Sequence, residues 1–218
     1  MTTDHLRETG KRIYWPSPQD YSEAVQTPRA SFADEELRAG AVETTPLGLP
    51  RCMSGNFASV FCFRSQTRKI AVRCFLHNVP DQQTRYSAIS KYVLSDDLPY
   101  TVPFEYLEKG VLISGDWYPI LKMEWVDGVT LNQFISENLS SNAALKLLAS
   151  YFKQMTLELR RGGIAHGDLQ HDNILFSRGL SSQLASTEVS IDRFNWPYPA
   201  TSTSTLVIYP NVSSSPAL

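Results

Sequence analysis

The chain carries, directly after its longest predicted helix, the run His166-Gly167-Asp168-Leu169-Gln170-His171-Asp172-Asn173. On such a loop, the carboxylate of Asp168 can orient an attacking hydroxyl group and accept its proton. Asn173 follows in the same run, and its amide oxygen is a ligand that suits Mg²⁺. The spacing therefore predicts a catalytic loop. These residues alone leave two alternatives open: a polar loop without chemistry, and a metal cluster formed by His166, Asp168, His171 and Asp172.

The bulk composition is that of an ordinary soluble protein. The 218 residues carry a formal net charge of −2, which does not favour nucleic acid or a charged membrane surface as the main partner. The first residues show no secretory signal, and no apolar run approaches the roughly 18–20 residues that span a bilayer. The 3 cysteines, an odd and low number, fit a reducing compartment. We therefore expect a cytoplasmic protein with no nucleic-acid and no membrane partner.

The middle of the chain has the pattern of a β-rich segment interrupted by one helix. Residues 57–63 and 69–75 are rich in β-branched and aromatic side chains, and the polar turn between them predicts a hairpin. Residues 81–93 predict a helix, because their apolar side chains recur on one face. Further strands are predicted at residues 102–107, 111–113 and 117–126.

Helical patterns follow residue 130 and stop before residue 177. Thr130 is a candidate N-cap for a short helix. Residues 142–161 form the strongest predicted helix, which Gly162-Gly163 should end. Residues 177–218 are about one-third Ser or Thr, are interrupted by proline and lack lysine. We therefore expect this tail to be disordered.

The first 45 residues are polar and interrupted by proline, apart from one aromatic patch. The patch reads Tyr14-Trp15-Pro16-Ser17-Pro18-Gln19-Asp20-Tyr21. Exposed Trp and Tyr side chains are unfavourable unless their rings are covered. We therefore expect this N-terminal arm to pack on the domain that follows it.

Three further segments precede the loop at residues 166–173. They read Met53-Ser54-Gly55-Asn56-Phe57-Ala58-Ser59-Val60, Ile70-Ala71-Val72-Arg73 and Leu121-Lys122-Met123-Glu124-Trp125-Val126-Asp127-Gly128. Taken singly, each also fits an ordinary turn or strand. In this order and spacing, the four segments together resemble the eukaryotic-like protein kinase superfamily, and most of all the bacterial kinase-like proteins that carry a Trp-Pro-x-Pro-Gln-Asp-Tyr arm. The resemblance covers about Trp15 to Leu175.

The resemblance implies an α+β, protein-kinase-like fold. Its parts would be an N-terminal arm at residues 1–45, a β-rich N-lobe with one helix and a hinge at 46–128, an incomplete helical C-lobe with the catalytic loop at 129–176, and the Ser/Thr/Pro-rich tail at 177–218. ATP would bind between the two lobes. The implied cofactors are ATP and Mg²⁺, and a protein substrate or partner is implied as well.

The resemblance also assigns roles to individual residues. Six of them would contact the nucleotide: Gly55, Val60, Ala71, Arg73, Glu124 and Val126. The first two belong to the loop over the phosphates, and the next two to the strand beside adenine and the phosphates. The last two belong to the hinge, whose backbone carbonyl and amide would read adenine. Asp168 would be the catalytic base, and Asn173 would be both a catalytic residue and a metal ligand.

Several features depart from the kinase pattern. Arg73 replaces the usual lysine, and the helix at 81–93 has no glutamate to pair with it. No Asp-Phe-Gly motif, whose aspartate holds the main Mg²⁺, follows Asn173, and neither does the remainder of a C-lobe. We therefore expect a truncated or frameshifted form, in which part of the apolar face of helix 142–161 is left exposed.

Four functions are compatible with these residues. The first is ATP-dependent phosphoryl transfer to Ser or Thr of a protein, by a truncated or weakly active enzyme. The second is a nucleotide-binding pseudokinase that serves as an interaction module. The third is phosphoryl transfer to a small molecule, since aminoglycoside- and choline-kinase-like enzymes also carry His-Gly-Asp, here at residues 166–168. The fourth is an inactive fragment.

Overall fold

The computed structural model describes residues 15–78, 81–95, 100–163, 174–178 and 204–208. Helices and antiparallel sheets are both present, so the mixed α and β content expected from the sequence is confirmed. The chain divides into two compact units, residues 1–87 with 104–125 and residues 88–103 with 126–218. In the described part of the chain, no helix is long and apolar enough to cross a membrane.

The N-terminal arm contains three short helices, α1 (Pro18–Ala24), α2 (Pro28–Ser31) and α3 (Glu35–Ala39). Ser17 begins α1 with a reciprocal capping box to Asp20. Both α1 and α2 start with proline, whose missing N–H would have no partner in a first helical turn. Local sequence signals therefore start these helices before any tertiary contact is considered.

Six described strands of the first unit form one antiparallel sheet. Their bounds are β1 (Ala41–Val42), β2 (Cys52–Ser54), β3 (Ala58–Arg64), β4 (Lys69–Phe75), β5 (Phe104–Ile113) and β6 (Asp116–Glu124). The order across the sheet is β1-β3-β4-β6-β5; β1 pairs with the end of β3, at residues 63–64, and β2 pairs with the earlier part of the same strand, at residues 59–61. Helix α4 (Gln82–Ser95) lies between β4 and β5 in the sequence.

The core of the first unit lies between the arm and one face of the sheet. Its members are the buried side chains of Tyr21, Val25, Phe32, Leu37, Phe61, Phe63, Ile70, Val72, Cys74, Val111, Ile113, Tyr118 and Ile120. Trp15 packs on this cluster and meets the ring of Tyr118 edge-on at 5.5 Å. The prediction that the aromatic arm packs on the following domain is therefore confirmed.

Strand β5 differs from the sequence prediction. Residues 102–107 and 111–113 predict two strands, whereas one continuous strand runs over Phe104–Ile113 with a register shift between Leu107 and Val111. Gly110 lies in this irregular stretch, and a Cβ added there would overlap Cγ1 of Ile120. The polar and glycine residues that suggest a break in the sequence thus belong to a bulge inside one strand.

The second unit combines two helices with a small sheet. Strand β7 (Gly128–Thr130) leads into α5 (Leu131–Glu137) and then α6 (Asn142–Arg161). Strands β8 (Ile174–Arg178) and β9 (Ser204–Ile208) complete an antiparallel sheet of order β7-β8-β9 within the described residues.

The predicted helix ends of the second unit agree with the structure. Thr130 caps α5, since its side chain accepts the N–H of Gln133, and Ser141 caps α6 in the same way. Helix α6 ends at Arg161, and Gly163 has a φ of 66°, the left-handed conformation typical of the residue after a helix. Sequence signals alone thus set both ends of the longest helix.

The expectation that the apolar face of α6 is left exposed is wrong for most of that face. Ala144, Leu148, Tyr151, Met155 and Leu159 are all buried, at 0–6% exposure. They form one cluster with side chains from α5 and β8 and with Tyr100; its other buried members are Phe134, Ile174 and Phe176. Short local elements therefore supply the packing surface for α6.

The tail at 177–218 also differs from the expectation of disorder in two short stretches. Ser177 and Arg178 end strand β8, and residues 204–208 pair along its whole length, from Ile174 opposite Ile208 to Arg178 opposite Ser204. The sequence of β9 contains Leu206-Val207-Ile208, whose apolar and β-branched residues favour strands. An open edge of β8 gives such a segment a ladder to join, which composition alone does not reveal.

Candidate functional site

Strand β4 presents two different faces. Ile70, Val72 and Cys74 face the core shared with the arm, so Ala71 and Arg73 lie on the opposite face by the period of two. Ala71 is 1% exposed, whereas Arg73 is half-buried. The sequence prediction that these two residues share a strand face is confirmed.

Neighbouring strands place one predicted site residue, Val60, and one further apolar residue, Met123, on this face. Val60 of β3 lies directly opposite Arg73, and Met123 of β6 lies directly opposite Ala71. Val60 is half-buried and Met123 is 3% exposed. A small alanine therefore shares this face of the sheet with a cation, and a buried methionine lies beside the alanine.

Glu124 is the last residue of β6, where it lies opposite Ile70. The next residue, Trp125, donates its backbone N–H to the carbonyl of Lys69 at 3.2 Å, which extends the ladder past the strand end. Val126 is 4% exposed and belongs to the second unit. The predicted hinge thus coincides with the division between the two units.

The hairpin turn between β2 and β3 carries the predicted phosphate loop. The N–H of Gly55 donates to the carbonyl of Ala58 at 3.0 Å, and the hydroxyls of Ser54 and Ser59 are 2.8 Å apart. No atom lies within 4 Å of the place that a Cβ would take at Gly55. The fold itself therefore sets no steric requirement for glycine at position 55. Phe57, two residues later in the same turn, is 63% exposed.

The predicted catalytic residues lie outside the described residues. They are Asp168, the predicted base, and Asn173, the predicted catalytic residue and metal ligand. The described chain ends before them at Gly163 and resumes after them at Ile174. Among the described residues, no group of three or more His, Cys, Asp or Glu side chains could hold a metal ion.

Helix α4 does not supply the acidic partner that kinases place opposite their strand lysine. Its sequence contains neither Asp nor Glu. Gln82 is 7% exposed, and Gln83 donates to the carboxylate of Glu108 at 3.0 Å. Tyr86 packs between Phe75 and Phe104 with ring centroids 5.4 and 5.9 Å away. This helix is anchored by aromatic packing.

An ion cluster on the arm side of the sheet has no counterpart in the sequence predictions. Lys122 of β6, 10% exposed, lies 2.7 Å from the carboxylate of Asp34 and 3.1 Å from that of Glu36. Arg68 donates twice to Glu36, at 2.8 and 2.9 Å. The Arg68 hydrogen bonds, with those of Lys122, lower the pKa of Glu36 to about 2. Burial disfavours the charged form of Lys122, yet the two carboxylates outweigh it and raise the pKa of the amine.

The comparisons with known proteins find similarity to solved structures only. No protein-family model matches the chain, and no curated protein does. Among solved structures, the PknI kinase domain of Mycobacterium tuberculosis superposes with a TM-score of 0.49 at 11% identity. The superposition covers 82% of this chain and 60% of that domain, so the chain spans less than two thirds of its length.

Proposed function

We propose that the chain is a protein-kinase-like domain that binds ATP with Mg²⁺. The observation that carries the proposal is the grouping of predicted nucleotide residues on one face of one sheet. Arg73 lies opposite Val60 and Ala71 lies opposite Met123, while Glu124 ends the same strand as Met123. An apolar surface for a flat base beside a cation for phosphate is the arrangement that a nucleotide needs.

The described residues fit the two ends of such a nucleotide. Ala71 would supply a small apolar side chain beside the base, with Met123 as its neighbour across the strand pair. Arg73 supplies a permanently charged, forked donor for phosphate oxygens. Gly55, free of steric demand from the fold, allows the loop backbone to approach phosphate closely. The Glu124 carbonyl and the Val126 amide would complete the binding of adenine.

The activity that this binding would serve is phosphoryl transfer to a Ser or Thr hydroxyl of a protein. Asp168 would accept the hydroxyl proton, and Asn173 would hold Mg²⁺ through its amide oxygen. Bound Mg²⁺ would neutralise the charge that develops on the phosphate oxygens. Arg73 would keep the phosphates in line with the attacking oxygen, without the carboxylate that usually orients a lysine at this position.

A nucleotide-binding pseudokinase is the second candidate, and the sequence of α4 favours it. That helix contains no Asp or Glu, so it supplies no carboxylate to orient a strand cation as the glutamate of a protein kinase does. Binding would then persist without efficient transfer, and the domain would act as an interaction module. A small-molecule acceptor for the phosphoryl group is the alternative if transfer occurs but no protein is labelled.

Thermal unfolding of the full chain with and without 5 mM ATP and Mg²⁺ tests binding. A dissociation constant near 50 µM would raise the melting temperature by about 5–10 °C, because ligand at about 100 times its dissociation constant adds about 2.7 kcal/mol. Arg73→Met should remove most of this rise, whereas Arg51→Met, an exposed arginine just before β2, should not. A wild-type chain that shows no rise would contradict the proposal.

A phosphotransfer assay then separates enzyme from pseudokinase. Wild-type chain should transfer ³²P from labelled ATP to a Ser/Thr substrate such as myelin basic protein, and Asp168→Asn should abolish transfer while leaving the ATP-induced thermal shift unchanged. A shift without transfer would support the pseudokinase. Transfer that survives Asp168→Asn would show that another group is the base.

A further inference from the structure

The arm and the predicted phosphate loop contact the same peptide unit, Phe75–Leu76, from opposite sides. Its carbonyl oxygen accepts the indole N–H of Trp15 at 2.6 Å and the phenol O–H of Tyr21 at 2.7 Å. Its N–H, on Leu76, donates to the carbonyl of Phe57 at 3.0 Å. Phe57 lies in the turn that follows Gly55, so one rigid amide plane joins the arm to the loop.

We propose that Trp15 and Tyr21 are positioning residues that set the loop at residues 55–57 through the Phe75–Leu76 peptide. This inference rests on the proposed function, because the loop matters only if it covers a nucleotide. The two donors occupy both lone pairs of the Phe75 carbonyl oxygen. Donation to a carbonyl polarises the amide and makes its N–H a stronger donor, so the bonds on the two sides reinforce each other.

The surroundings of this peptide keep the arrangement fixed. The side chain of Tyr21 is fully buried, and its burial raises the pKa of the phenol, so the hydroxyl stays a donor throughout the physiological range. On the other side, the ring of His77 lies near the loop, with Nε2 3.2 Å from the carbonyl of Asn56 and its centroid 6.4 Å from that of Phe57. Leu76 and His77, the two residues after β4, thus contact the carbonyls of Phe57 and Asn56 in the loop.

The Phe75 carbonyl also lies close along the strand to Arg73, the residue proposed to bind phosphate. Phe75 is the last residue of β4, two positions after Arg73 and on the same strand face. Displacement of the Phe75 carbonyl would therefore disturb the end of the strand that carries Arg73 as well as the loop. We expect loss of the arm's donors to weaken the binding of the nucleotide phosphates while leaving the apolar surroundings of Ala71 unchanged.

The test uses a double variant, Trp15→Phe with Tyr21→Phe, in the full chain. It keeps two aromatic rings in the core and removes both donors. Leu37→Ala is the matched control, since Leu37 is a fully buried arm residue in the same core whose apolar side chain cannot donate a hydrogen bond to Phe75. Amide hydrogen exchange is read at Leu76 and at Gly55 in the absence of nucleotide, and ATP and adenosine affinities are measured by calorimetry.

The double variant should speed exchange at Leu76 and Gly55 by about fivefold to tenfold more than global destabilisation accounts for, the factor expected for one lost hydrogen bond. ATP affinity should fall by about the same factor, and adenosine affinity should stay within about twofold. Leu37→Ala should change neither the local exchange nor the ratio of the two affinities. Equal effects of the two variants would overturn the proposal. If wild-type chain binds no ATP, the proposed function fails, and the exchange rates still decide whether the arm sets the loop.

Discussion

Glu36 is the residue whose replacement tests most directly how the arm is held to the sheet. Its carboxylate accepts both Arg68 donors and lies 3.1 Å from the amine of Lys122, which is itself only 10% exposed. Glu36→Gln keeps the size of the side chain and removes its charge. We expect the variant to be less stable than wild type at neutral pH and to lose this difference in acid.

The magnitude follows from the pKa of Glu36 and from the exposure of the cluster. A carboxyl whose pKa falls from 4.5 to about 2 contributes about 3 kcal/mol of linked stability if solvent screening is ignored. The side chains of Glu36 and Arg68 are 29% and 49% exposed, so water screens much of this interaction. We expect about 1–1.5 kcal/mol, or a melting temperature about 3–5 °C lower.

The pH dependence has a defined direction. Because the folded-state pKa lies below the unfolded one, the contribution is fully present above the unfolded pKa and is lost as pH falls toward about 2. More than half of the difference between wild type and Glu36→Gln should therefore vanish between pH 7 and pH 3. Raising the salt concentration to about 1 M should reduce it at pH 7 as well, since the pair is partly exposed to ions.

Urea unfolding at pH 7, 5 and 3 measures these differences. Glu158→Gln is the matched control, because Glu158 forms a pair of 2.7 Å with Arg161 at the end of α6, where the arginine is 73% exposed. That variant should change stability by less than about 0.5 kcal/mol. The reasoning is refuted if Glu36→Gln matches this control, or if it is equally destabilising at pH 7 and pH 3.

Three further substitutions test packing and the loop. Gly110→Ala should cost about 1–3 kcal/mol in thermal unfolding, because the new methyl group would overlap the Ile120 side chain; unchanged stability would contradict the close approach. Gly55→Ala should leave stability within about 0.5 kcal/mol and weaken ATP binding by about tenfold, whereas equal binding would mean that the loop backbone does not contact phosphate. Phe134→Ala should cost about 3–5 kcal/mol in chemical unfolding, since its buried ring lies 4.2 Å from that of Phe176, and a loss under 1 kcal/mol would argue against this core.

Secondary structure was predictable wherever local signals are strong. Strand β4 and helix α6 occupy the predicted residues 69–75 and 142–161, because alternation, caps and terminal glycines act within a few residues. The two predicted strands that form β5 show the limit of this approach. A bulge within one strand and a turn between two strands can contain the same polar and glycine residues. Only the pairing with β6 distinguishes the two cases.

The sequence also nominated residues for a site. It did not reveal which other residues hold those residues in position. Val60, Ala71 and Arg73 were assigned from the resemblance to kinase motifs, and strand register brings Val60 opposite Arg73, two positions from Ala71. The contacts of Trp15 and Tyr21 with the Phe75 carbonyl join residues 54 or more positions apart. No periodicity encodes a contact at that distance, although the aromatic patch itself indicated that the arm must dock.

The sequence by itself determined the order and spacing of the four motifs on which the resemblance to protein kinases rests, because both are properties of the chain before it folds. Tertiary structure decided which strand edges pair, which charged side chains form ion pairs and which side chains cover each apolar face. Lys122 shows the difference: in the sequence it interrupts an apolar strand, and in the fold it binds two carboxylates of the arm. Burial makes such pairing necessary, because a charged amine removed from water is stable only beside opposite charge.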